Sequence, residues 1–107
     1  MNRETALAFL RQHQPMPQEP PGLLKAEYPH EMYPADSPEM QAYKTYADLM
    51  LQYEEVRTYF MEHPDPECIP LFLNSFGSGF GLGIYQMVEW LIEKFSQNRF
   101  FPIFALL

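Results

Sequence analysis

Apolar residues recur along this chain at helical spacing and nowhere alternate over a strand-length stretch. Behind Asn2, a residue suited to capping a helix start, Leu7, Phe9 and Leu10 give the segment from about Arg3 to His13 a short apolar side. A stronger signal begins at Asp36-Ser37-Pro38-Glu39, which joins cap residues, a proline at the first helical position and an acid in the first turn. It predicts a long helix reaching about His63, where Pro64-Asp65-Pro66 stops it. On that helix Ala42, Tyr43, Tyr46, Leu49, Met50, Tyr53, Val56, Phe60 and Met61 fall within an arc of roughly 140°. Gln41, Lys44, Thr45, Asp48, Gln52, Glu55, Tyr59 and Glu62 occupy the opposite arc and predict a solvated, mostly acidic face. Asp65-Pro66-Glu67 repeats the start device and opens a shorter helix through Ile69, Leu71, Phe72, Leu73 and Phe76, which Pro70 kinks or delays. A last helix is expected over about Ile84 to Phe95, with Ile84, Val88, Leu91, Ile92 and Phe95 inside and Gln86, Glu89 and Glu93 outside. The expected class is all-α, a compact helical domain.

Two connections carry their own signals. Seven of the eleven prolines lie between Pro15 and Pro38, and Tyr28-Pro29 and Tyr33-Pro34 force extended backbone. The 15–37 stretch is expected to be a proline-rich strap whose tyrosines, Leu23, Leu24 and Met32 pack on the helices. Its other reading is a proline-rich ligand, although Pro17-Gln18-Glu19-Pro20 lacks close basic company. The glycines at 77, 79, 81 and 83 alternate, which fits neither of the phosphate-binding spacings. They predict a tight helix connection fastened by Phe76 and Phe80.

With 107 residues, 47% of them hydrophobic and 16% aromatic, the chain can bury one modest core, so one domain over 1–107 is expected. Fourteen acids against seven Lys and Arg give a charge of −7, which repels phosphate backbones and excludes direct nucleic-acid binding while favouring a basic protein partner. The lone Cys68 closes no intrachain disulfide, consistent with a reducing, cytoplasmic compartment. No membrane span is expected, because the apolar end, Phe100 to Leu107, is too short and carries Pro102. That tail either folds back or offers a contact for a homo-oligomer.

Chemistry is thinly signalled. His63, Asp65, Glu67 and Cys68 lie close enough to suggest metal ligands, yet each has a simpler role: a helix end, a cap, a first-turn acid and a small buried residue. His13 and His30 lack paired ligands, and Glu54 and Glu55 point to different sides of their helix. No cofactor, metal site or catalytic set is expected, and the protein is not read as an enzyme. Arg57 falls inside the apolar arc and should pair with a carboxylate or with backbone carbonyls. The informative residues are Tyr59 in the polar arc and Trp90 at the border of the acidic face of the last helix. Aromatic anchors among acids suit an interface with a basic protein, giving the expected contact set Asp48, Glu55, Tyr59, Glu62, Gln86, Glu89, Trp90 and Glu93. The competing structural reading covers Trp90 with the C-terminal tail and Tyr59 with the strap.

The stretch Pro66-Glu67-Cys68-Ile69-Pro70-Leu71-Phe72-Leu73-Asn74-Ser75-Phe76-Gly77, followed by Gly81-Leu82-Gly83-Ile84-Tyr85-Gln86-Met87-Val88-Glu89, resembles a HEAT-type helical hairpin, over about 66–95. More narrowly it resembles the small helical immunity proteins of bacterial contact-dependent or polymorphic toxin systems. The resemblance implies an inhibitor that binds one toxin domain, often a nuclease, and covers its active site or substrate path. It covers the last third of the chain and supplies no residue list. One hairpin is not an array, so the earlier helices must cap it. The alternative expectation is a phage-type acidic inhibitor or adaptor that mimics nucleic acid.

Overall fold

A computed structural model describes residues 1–20, 34–77, 79 and 81–96. Leu23, Leu24, Tyr28, His30, Met32 and Tyr33 of the strap, Phe80, and the tail from 97 to 107 lie outside the described residues. The fold is all-α. The described residues form four helices, α1 (Arg3–Gln12), α2 (Pro38–Glu62), α3 (Cys68–Leu73) and α4 (Ile84–Ser96), and a 3-10 turn at Gly81–Gly83, with no strand among them.

The helix starts follow the side chains expected to fix them. Asn2 accepts from Thr5 N at 2.8 Å, satisfying one of the orphan amides at the start of α1. Ser37 accepts from Met40 N at 3.2 Å, with Pro38 opening α2. Asp65 works one step earlier than a helix cap: its carboxylate takes Glu67 N at 2.9 Å, and its carbonyl takes Cys68 N at 3.1 Å. The helix this turn launches, α3, stops at Leu73 and not near Phe76. Pro70 falls in its first turn, where a missing N–H costs nothing. Its far end closes when Ser75 Oγ donates to Phe72 O at 2.7 Å.

α2 is the spine, touching α1 on one side and α4 on another, while α3 packs on α1. Its buried residues are Met40, Tyr46, Met50, Tyr53, Val56 and Phe60. Ala42 of the expected stripe is exposed, and Tyr43, Leu49 and Met61 are only part-covered, so the true contact line is narrower than the sequence arc. Tyr53 lies at the centre. Its ring meets Phe72 and Tyr85 edge to face, with centroids 6.0 and 5.9 Å away, and Phe9 at 6.2 Å. The Tyr53 hydroxyl donates to Ser75 Oγ, whose own proton goes to the Phe72 carbonyl, so one hydrogen-bonded chain crosses from α2 to the end of α3.

Polar side chains fasten the corner between α1 and α3. Gln14 Nε2 donates to Leu10 O at 2.7 Å and to Leu71 O at 2.8 Å, closing α1 and tying it to α3. Arg3 donates to Asp65 at 2.6 Å and meets Glu67 at 2.9 Å. Burial alone would raise Asp65, but the Arg3 hydrogen bond, the Glu67 amide and the Arg3 charge outweigh it and hold the carboxyl below its ordinary value.

Cys68 is wholly buried at the start of α3. Burial, reinforced by the charge of Asp65, pushes its thiol up to about 12. Because this lies above the ordinary thiol value of about 8.5, the stability it contributes is complete below that pH and is lost as pH rises through about 12. The folded protein should therefore resist alkylation at pH 8, with Cys68 labelled at the rate of unfolding and rapidly in denaturant. Fast labelling of the native state would contradict this burial.

Candidate partner-binding surface

Helix geometry puts the acids of α2 in register. Asp48, Glu55 and Glu62 are seven residues apart, two turns each, so they form one exposed line at intervals of about 10.5 Å. Leu51 sits in the middle of this line and is 61% exposed, a large apolar side chain among acids. Sequence reasoning missed it, although its wheel position, between Asp48 and Glu55, was available.

Near the end of α2 this line opens into a shallow groove of about 390 Å³, lined by Met1, Glu54, Glu55, Thr58, Tyr59, Glu62 and His63. Three of the expected contact residues, Glu55, Tyr59 and Glu62, meet there. The ring of Tyr59 is not the freely exposed anchor its place in the polar arc suggests. It stacks on His63 at 4.5 Å and 18°, and it meets Phe60 edge to face at 5.1 Å. The packing comes from neighbours three or four residues away or next in sequence, which a wheel drawn for burial alone does not weigh. His63 Nδ1 lies 3.2 Å from Tyr59 O, so the imidazole closes the helix end. Glu54 turns to Arg57, with 2.8 Å between Arg57 Nε and Oε2. This is the carboxylate partner expected for Arg57, and it comes from the same helix, three residues back. Glu55 and Glu62, both exposed, carry the negative character of the groove. Such a lining can receive a long cationic side chain, with the phenol and the Met1 side chain covering its aliphatic stem.

The second expected set lies on α4. Gln86, Glu89, Trp90 and Glu93 are all exposed along one side, opposite buried Val88, Leu91 and Phe95. Trp90 is 53% exposed, and Leu82 just before the helix is 44% exposed. The contact residues therefore divide between two helices, with Glu55, Tyr59 and Glu62 of α2 sharing a groove.

The metal reading of residues 63–68 meets three other tasks: His63 closes α2, Asp65 and Glu67 bind Arg3, and Cys68 is buried. Among the described residues no group of three or more His, Cys, Asp or Glu could hold a metal ion. Nor is any described helix long and apolar enough to cross a membrane.

Comparison with protein-family models, curated proteins and solved structures finds no match to this chain.

The residue that sequence reasoning most underrated is Glu19. Read as part of a bare proline spacing, it is 91% buried, accepting from Gly81 N at 2.7 Å through Oε1. Around it the backbone takes positive φ at Gly79 (80°) and Gly81 (57°). A side chain at Gly79 would overlap the Glu19 carboxylate, and one at Gly81 would come within 2.7 Å of the Tyr85 ring. Alternating glycines without a phosphate motif gave the tight connection; nothing in their spacing named the acid that fills it.

Proposed function

We propose that this chain is a stoichiometric inhibitor, an immunity-type protein that neutralises a basic toxin domain, with a nuclease as the favoured class, by covering its active site or substrate path. The observation that carries the reading is the groove at the end of α2, where Glu55, Tyr59 and Glu62 stand together beside Met1. A charge of −7 adds long-range attraction for a cationic protein, and Leu51 adds apolar area in the same acidic line. The stretch from α3 through the glycine turn to α4 is the part of the chain that carries the resemblance to HEAT-type immunity proteins. No chemistry is required of the chain itself, only shape and charge that persist in the bound state.

Mixing the purified protein with the toxin domain encoded beside it should give a one-to-one complex on size-exclusion chromatography. Co-expression should rescue cells from that toxin. Absence of both co-elution and rescue would remove this function.

A further inference from the structure

We infer that the glycine turn around Gly79 and Gly81 is a carboxylate-binding cradle, which the chain fills with its own Glu19. Four observations carry this. The Glu19 carboxylate is buried, and the Gly81 amide donates to it at 2.7 Å. Gly79 presents its bare Cα to the same carboxylate, at a distance no side chain would allow. The turn runs directly into the 13-residue helix α4, whose first amides and dipole favour an anion at that end. The hydroxyls of Tyr46 and Tyr85, on residues 4% and 6% exposed, lie within electrostatic reach of the Glu19 charge and of each other.

The cradle does more than seat one side chain. Glu19 is 62 residues from Gly81, so its carboxylate fixes the first part of the proline-rich segment against the start of α4. Met16, three residues earlier, is buried and donates its amide to Ser75 O at 2.8 Å, which makes the attachment two-pointed. The setting of α4, and with it the exposed Trp90 side, depends on an anion in this place. The inference is independent of the inhibitory function proposed above.

Glu19→Ala removes the side-chain methylene and carboxylate that acetate would restore. The variant should melt roughly 5–15 °C below the parent in sodium chloride. Replacing chloride by acetate at equal ionic strength should recover at least half of that loss and saturate, while the parent protein does not gain. A folded Glu19→Ala protein that melts like the parent, or equally in the two salts, overturns the cradle. Should Glu19→Ala not fold, Glu19→Gln keeps the shape without the charge. Its Gly81 amide proton should move upfield and exchange faster than in the parent. An unchanged Gly81 resonance in Glu19→Gln would overturn the inference as well.

Discussion

Tyr53→Ala is expected to destabilise the protein by about 3–5 kcal/mol, the usual loss when a large ring leaves a packed core. The residue is fully buried and touches rings from α1, α3 and α4, so the cavity would open where four helices converge. No single neighbour can fill it without abandoning another contact. The hydroxyl adds a second loss, since Ser75 would no longer receive its proton. Against a total stability of about 5–15 kcal/mol for a domain of this kind, the variant should be largely unfolded near 40 °C. Tyr53→Phe separates the two effects. It keeps the ring, and Ser75 still donates to Phe72 O, so its cost should be only about 0.5–1.5 kcal/mol. Denaturant midpoints for the two variants check the assignment, and equal losses would place the hydroxyl, not the ring, at the centre of the core.

The second large effect concerns binding. Glu55→Lys combined with Glu62→Lys should slow association with the basic partner by about 10- to 100-fold at low salt, with a smaller change at high salt. Both side chains are exposed, so the melting temperature should hardly move. Trp90→Ala provides the comparison. If α4 is the contact, its removal should weaken binding by about 2 kcal/mol or more, chiefly through faster dissociation. Stopped-flow mixing with the toxin domain distinguishes the two faces. Unchanged association for the double charge reversal, beside a large loss for Trp90→Ala, would move the interface from α2 to α4.

Much of the architecture was legible because local signals and burial agree. Asn2, Ser37-Pro38 and the periodic stripe of α2 each specify one element, and tertiary packing overrides none of them. One boundary, the end of α3, was missed, and one tie from the end of α1 was not foreseen, for a common reason. The end of α3 is set by Ser75, whose hydroxyl serves Phe72 and Tyr53 at once, and such a bridge depends on a residue 22 positions away. Gln14 is similar: it closes α1 but also reaches Leu71, 57 residues on. Long-range polar contacts leave no periodic trace. The surface set was legible as exposed acids, yet the groove needed the fold, because Met1 joins the end of α2 only through the packing of α1. Leu51 was missed for a different reason. A single leucine among acids adds nothing to the periodic stripe from which burial is read.

Met1 on the rim of the groove has a practical bearing on any bait design. A fusion partner or affinity handle joined ahead of residue 1 emerges beside Glu55, Tyr59 and Glu62, where a bulky or histidine-rich extension would shield the carboxylates. Pull-downs built that way risk blocking the contact they are meant to capture, whereas immobilisation through an engineered thiol away from both helix faces leaves it open.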